Sequence, residues 1–266
     1  MSYTPIDHYG IIGNMRSAAL ISINGSIDWC CLPRFDSPSV FGSILDEHKG
    51  GRFQVAVKGE CRLKQMYLPD TNVLVTRFLS AEGVGEVIDF MPMHNGHSEE
   101  TSLVRIARCV RGKVRFFLNC NPAFNYARTT HDLRLESNFA LFSTPDLQLI
   151  LNSSSPLDRA AKNASNGFSF EFDLEENSET SFVLHVVDGD PKDLTFDVET
   201  FVKEALDRTV NAWKVWVAKC TYTGRWREMV IRSALILKLL VYEPTGAIIA
   251  SPSCSLPEEM GGSRNW

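Results

Sequence analysis

Between Ala18 and Val187, apolar residues recur at every second position, and turn residues separate the runs where a helical protein would have helices. The clearest run sets Phe168, Phe170, Phe172 and Leu174 against Ser169, Glu171 and Asp173. A period of two places the first set on a dry face and the second on a wet one. Similar runs cover residues 18–22, 27–32, 53–57, 72–80, 86–91, 102–111, 114–120, 133–143, 147–152 and 181–187. Asn24-Gly25 suits a tight hairpin, and the AEGVG stretch at 81–85 suits another. Long strands without intervening helices exclude a doubly wound parallel sheet. They predict a mainly β fold, a large antiparallel super-β-sandwich over residues 1–192.

The period changes after Asp190-Pro191. Phe201, Val202, Ala205, Leu206, Val210, Trp213, Trp216 and Val217 recur at intervals of three and four. This predicts an amphipathic helix over 197–219, about 33 Å long, with Asp197 as N-cap, inside a linker segment 193–222. A second helix is expected over 226–242, stopped ahead of Pro244. Its apolar residues lie on nearly every side, so it needs cover from more than the sandwich. The expectation is that residues after Trp266 supply that cover and that 223–266 begins a further domain. The alternative is a partner subunit, a homo-oligomer formed through 226–242.

Composition narrows the partners. The chain has 266 residues, 44% apolar and 22% charged, with a net charge of -5. Without a basic excess, nucleic acid is excluded as a partner. With no apolar run of about 18 residues, no membrane span is expected. The opening MSYTPIDHYG lacks the features of a secretory signal, which makes the cytoplasm the default location. The seven cysteines show neither CxxC nor zinc spacing and read as reduced core thiols. No cofactor or metal is implied. The i,i+3 pair His94 and His97 reads as surface histidines.

Three stretches carry specialised chemistry. In GSIDWCCLPRFDSPSVFG, two prolines stiffen a loop in which Arg34 and Asp36 either pair or direct one charge at a ligand. NPAFNYART, residues 121–129, offers aromatic and amide groups to an interface. ASPSCSLPEEMGGSRNW ends on Arg264, Asn265 and Trp266. A guanidinium, an amide and a flat ring together suit the hydroxyls and the C–H face of a sugar.

The segments YGIIGNMRSAALISINGSIDWCCLPRFDSPSVFGSILD and GAIIASPSCSLPEEMGGSRNW resemble two signatures of glycoside hydrolase family 15, the glucoamylase-like and trehalase-like enzymes. The resemblance implies an N-terminal super-β-sandwich, a linker helix and an (α/α)6 barrel whose first helix is 226–242. It implies inverting hydrolysis of α-glucosidic bonds by two carboxylates about 6.5–9.5 Å apart. Both family glutamates are expected beyond residue 266, so none of the residues present is expected to be catalytic. Glu258, Glu259, Gly261 and Gly262 then organise the loop, with Arg264 as a possible ion-pair partner, and Arg264, Asn265 and Trp266 form the edge of the substrate pocket. The alternative is a stand-alone carbohydrate-binding or structural sandwich that packs on a separate barrel.

Overall fold

A computed structural model of the chain describes residues 3–93, 101–187, 196–259 and 261–263. Its strands are β1 (Tyr9–Gly13), β2 (Ala18–Ser22), β3 (Ser26–Cys31), β4 (Ser39–Phe41), β5 (Arg52–Val57), β6 (Arg62–Tyr67), β7 (Leu74–Leu79) and β8 (Gly83–Phe90). They continue with β9 (Ser102–Asn121), β10 (Asp132–Leu135), β11 (Phe139–Ser143), β12 (Gln148–Ser153), β13 (Ala161–Lys162), β14 (Phe168–Glu175) and β15 (Glu179–Val187). Every pairing among them is antiparallel. The helical elements are a 3-10 turn (Ile6–His8), the short turn α1 (Phe124–Ala127), α2 (Val198–Val217) and α3 (Arg227–Leu239).

Strand β9 belongs to both layers. Its first half lies between β8 and β15, and its second half between β5 and β14. One layer therefore runs β6-β7-β8-β9-β15-β12-β11-β10, and the other runs β1-β2-β3-β5-β9-β14-β13, with β4 on β3. Separate strands are expected at 102–111 and 114–120, and here they form one 20-residue strand. Gly112, between the two expected strands, has φ of 74° and sits where the strand leaves one layer for the other. A Cβ there would come within 2.4 Å of the Glu82 carbonyl oxygen. The run at 133–143 is instead two strands, β10 and β11.

Burial along β9 follows this division. Leu103, Ala107 and Cys109 face the core between the layers, with Val114, Phe116, Leu118 and Cys120 further along. Val104 and Ile106 face the opposite way and pack with Val198, Val202 and Ala205 of α2. Phe168, Phe170 and Leu174 are buried as the alternation predicts. The Phe170 and Phe172 rings lie 5.3 Å apart, continuing an aromatic ladder across the core.

An ion pair sits inside this core. Arg105 and Asp89 are opposite one another on β9 and β8 and are both fully buried. Arg105 Nε donates to Asp89 Oδ1 at 2.7 Å and Nη2 to Oδ2 at 3.2 Å. The guanidinium then reaches the other layer. Nη2 donates to the Gly25 carbonyl at 2.8 Å and Nη1 to the Phe53 carbonyl, with the Phe53 ring 4.8 Å from Cζ. Gly25 has φ of 77°, and a Cβ there would strike the Val55 carbonyl oxygen at 2.3 Å. The Asn24-Gly25 hairpin thus turns its carbonyl toward the buried cation.

Helix α2 lies on the outside of the β6–β10 layer, and α3 packs against Met15, Ala18 and Phe35. Asp197 caps α2, accepting from the Thr200 backbone N–H at 3.2 Å. The far end of α2 meets α3 through Trp213, Val217, Ile231, Leu235 and Leu239. Arg232 ties α3 to the sandwich. It donates to the Thr71 carbonyl at 2.7 Å and to Asn72 Oδ1, and it stacks 3.9 Å above the Tyr67 ring. Asn72 Nδ2 in turn donates to the Leu235 carbonyl at 3.1 Å.

Two outcomes follow from this core. Arg105→Met leaves Asp89 buried without its cation and should lower the unfolding free energy by about 3–5 kcal/mol in urea titration, while adding Asp89→Leu should recover the larger part. Burial lowers the pKa of His185, beside Phe196, to about 4 from 6.5. The unfolded chain then takes up the proton first, so this stability contribution is complete above pH 6.5 and lost as pH falls toward about 4. A thermal-melt series should show a shallower acid slope for His185→Leu than for the parent chain.

Candidate functional site

Strand β3 is buried on both faces because two different covers meet it. Ile27 and Cys30 enter the sandwich core. Trp29 and Cys31 instead meet the segment that follows α3. The Trp29 indole N–H donates to the Pro252 carbonyl at 2.8 Å. Cys31 Sγ lies 3.3 Å from Ser255 Oγ. Cys254 Sγ lies 3.5 Å from the Phe35 carbonyl oxygen. Upstream, Glu243 N donates to the Met15 carbonyl at 2.8 Å and its carboxylate pairs with Arg16 at 3.0 Å. The chain from 243 to 256 is strapped along the sandwich by side chains and backbone alike.

Turn α1 closes the strap from the other side. Asn125, Tyr126 and Ala127 have φ of 52°, 57° and 62°, so three successive non-glycine residues are left-handed. Such residues cost roughly 1–2 kcal/mol each. Arg128 holds the turn, donating from Nε to the Asn125 carbonyl at 3.0 Å and from Nη2 to Asn125 Oδ1 at 3.2 Å. Its guanidinium carbon lies 5.1 Å from the Tyr126 ring. The Tyr126 hydroxyl donates to the Ser255 carbonyl at 2.9 Å. Within NPAFNYART, Tyr126 makes this contact with the loop after α3, while the Asn125 groups bond inside the turn.

Arg34 and Asp36 pair at 3.2 Å, with side chains 57% and 71% exposed. An ion pair that open contributes at most about 1 kcal/mol. The loop is held instead by buried Phe35, whose N–H donates to the Arg16 carbonyl at 2.8 Å, and by Thr101 Oγ1 donating to the Pro33 carbonyl at 2.9 Å. Glu258 and Glu259 are exposed. Gly262 N donates to the Glu259 carbonyl at 3.0 Å, and Gly261 has φ of 71°. A Cβ on Gly262 would come within 2.8 Å of the Glu259 side chain. Arg264, Asn265 and Trp266 lie outside the described residues, as do His94 and His97.

The buried carboxylates are committed to structure. Asp89 holds Arg105, and Glu86 lies between Arg77 and Arg108. Asp28 accepts from Tyr9 at 2.8 Å, Ser26 at 2.6 Å and Ser43 at 2.8 Å. A groove of about 420 Å³ opens beside α1, walled by Arg52, Asn119, Asn121, His131 and Asn166, with Glu47 its one carboxylate. Its polar groups bond to one another, as in Asn121 Nδ2 to Asn119 Oδ1 at 2.7 Å and Asn166 Nδ2 to the His131 carbonyl at 2.9 Å. Burial drives the His131 pKa down, which favours a neutral ring. Among the described residues, no cluster of three His, Cys, Asp or Glu side chains could hold a metal, and no helix is long and apolar enough to cross a membrane.

Trp29, Cys31 and Tyr126 lie in two stretches that the sequence marks out, but their individual partners are not legible there. The usable signal was a tryptophan in a strand apolar at nearly every position, which needs cover on its second face and a partner for its N–H.

These features define an antiparallel sandwich that carries a helical pair and straps the following loop to its edge. The model of the trehalase-like N-terminal domain family matches residues 1–161, and the chain belongs to that family. It is 34% identical to a trehalase of Thermoplasma volcanium over 99% of its length, and 36% identical to that of Thermoplasma acidophilum over 93%. A trehalase of Mycobacterium tuberculosis is 32% identical over 99% of it. The chain spans 42%, 42% and 41% of the length of these relatives.

The strap predicts an order of thiol reactivity. All seven cysteines are free, and Cys30, Cys31, Cys109 and Cys120 are buried. Burial pushes the Cys31 pKa up to about 12. Alkylation of the native chain at pH 8, read by peptide mass mapping, should label Cys61 and Cys220 well before Cys31.

Proposed function

We propose that this chain is the sandwich and the start of the catalytic domain of an inverting α-glucoside hydrolase of glycoside hydrolase family 15, with trehalose as substrate. The observation that carries the reading is the reach of the similarity. The trehalase relatives align not only along the sandwich but through α2, α3 and the loop after them, over as much as 99% of the chain. A sandwich of independent function would have no reason to keep that helical tail.

On this reading residues 1–192 form the sandwich domain, 193–222 the linker and 223–266 the opening of an (α/α)6 barrel. Helix α3 supports it. One face is buried through Ile231, Leu235 and Leu239, while Met229 and Leu237 are 64% and 58% exposed. A helix with a second apolar face suits the inner ring of a barrel. Arg264, Asn265 and Trp266 would line the edge of the sugar pocket. Glu258, Glu259, Gly261 and Gly262 would shape the turn before it. General acid and base would both come from residues outside 1–266, since the buried carboxylates here hold structural partners. Seven free thiols support a reducing compartment, the cytoplasm.

The test is glucose release from trehalose, maltose and maltodextrin. The 266-residue chain should be inert on all three. A polypeptide extended to the length of the trehalase relatives should hydrolyse trehalose and release one glucose initially as the β-anomer, visible by proton NMR. Turnover by the 266-residue chain that disappears in Glu258→Gln or Glu259→Gln would refute the reading.

A further inference from the structure

We infer that the groove beside α1 is a binding site for a neutral saccharide, with Arg52 and Gln54 of β5 and Asn119 and Asn121 of β9 as its floor. The inference rests on the groove itself and not on the hydrolase reading.

The floor is a product of register. Arg52 lies opposite Asn121, and Gln54 opposite Asn119. A period of two puts all four side chains on the outer face of the sheet, in a square of about 5 Å across the strands and about 7 Å along them. The residues between them, Phe53, Leu118 and Cys120 among them, enter the core instead. Loops at 47–51, 122–131 and 164–166 wall the square. The enclosed volume of about 420 Å³ falls within the roughly 300–1,000 Å³ of small-molecule sites.

Polar side chains on the outside of a sheet are ordinary. These differ in being fixed. Asn121 is gripped at both ends, donating from Nδ2 to Asn119 Oδ1 at 2.7 Å and accepting at Oδ1 from Asn163 Nδ2. Arg52 Nη2 donates to the Glu47 carbonyl at 3.0 Å, and Gln54 Nε2 to the Asn24 carbonyl at 3.2 Å. Each bond orients a side chain and leaves part of it over. Among the described residues, Asn119 Nδ2, Arg52 Nε and Nη1, and Gln54 Oε1 have no partner. Groups ordered in advance lose little freedom when a ligand arrives.

The chemistry of that remainder selects the ligand. Donors stand beside an acceptor. A hydroxyl uses both kinds, whereas a phosphate or carboxylate only accepts and would meet the Gln54 oxygen with repulsion. Charge agrees with this. On the wall loop, Asp46 and Glu47 balance Lys49 and Arg52 in formal charge. Asp46 is kept ionised by the backbone N–H groups of Lys49 and His48, which lower its pKa. Burial lowers the pKa of His131 and favours its neutral ring. The apolar part of the lining is small. Pro122, Ala123 and Ala127 suit the C–H edge of a sugar ring and are too slight to hold a hydrophobic body.

The experiment is an NMR titration of the 266-residue chain that reads the side-chain amides of Asn119, Asn121 and Asn166. The probes are trehalose, maltose and maltotriose, with glycerol and inorganic phosphate as controls. Each is taken to on the order of 50 mM, because a small uncharged ligand held by a few hydrogen bonds binds in the millimolar range. At least one saccharide should shift these amides and saturate, while glycerol and phosphate leave them in place. Asn119→Ala and Arg52→Gln should each weaken that binding roughly five- to tenfold. Arg115→Gln, on the same face of β9 but outside the groove, should leave it unchanged. If a groove variant has a lowered thermal midpoint, the titration of the parent chain decides. Amides that no saccharide moves overturn the site. Glycerol or phosphate moving them as strongly as the saccharides overturns the ligand class, and equal weakening by Arg115→Gln overturns the location. No turnover is read, so failure of the hydrolase reading leaves this result standing.

Discussion

A guanidinium in the middle of the sandwich sets how its two layers face each other. Arg105 is fully buried, and its donors are divided between Asp89 on its own layer and the Gly25 and Phe53 carbonyls on the other. An ionised group there is tolerated only because carboxylate, carbonyls and an aromatic face all surround it. Those partners have to be in place together. The hairpin at Gly25 must project its carbonyl inward, β5 must present Phe53, and β8 must lie in register with β9. A slip of one residue in β9 would turn Arg105 toward α2 and bring Val104 or Ile106 into the polar niche. The ion pair thus acts as a register pin for the long strand that both layers share.

Register propagates outward from there. With β9 fixed, Val104 and Ile106 form the floor on which α2 lies. The end of α2 then meets α3, and Arg232 couples α3 to Thr71, Asn72 and Tyr67 at the sandwich edge. Tyr67 also exchanges hydrogen bonds with the backbone of Ile11, so the same ring that receives the Arg232 cation closes β6 onto β1. The loop after α3 is delivered to Trp29 and Tyr126 by this chain of contacts.

Much of this was legible in the sequence, for identifiable reasons. Alternation exposed the strands whose two faces see different solvents, as in β14. Asp197 announced the start of α2 because a capping carboxylate and an apolar stripe were both present. The strands that escaped notice had muted patterns. β6 is an edge strand with Arg62, Lys64 and Gln65 among its six residues, and such charge guards an open edge. β9 was divided at Gly112-Lys113, where the alternation lapses, whereas the strand crosses between layers there. For Arg34 and Asp36 the sequence left pairing and ligand contact both open; they pair, but the hold on that loop comes from Phe35. The left-handed turn was invisible, since Asn125, Tyr126 and Ala127 lack the glycine that usually signals positive φ. The loop glycines and acids drew attention by composition, while the side chains that anchor the loop lie more than a hundred residues away.

The central claim is that the loop after α3 is part of the sandwich's own cooperative structure. Indole exchange tests it most directly, because the Trp29 N–H is both buried and bonded to Pro252. In an NMR exchange series on the chain, the Trp29 indole proton should persist as long as the β9 amides, requiring global opening to exchange. An indole that exchanges as fast as that of the exposed Trp226 would mean that the loop leaves the sandwich freely, and the account would be wrong.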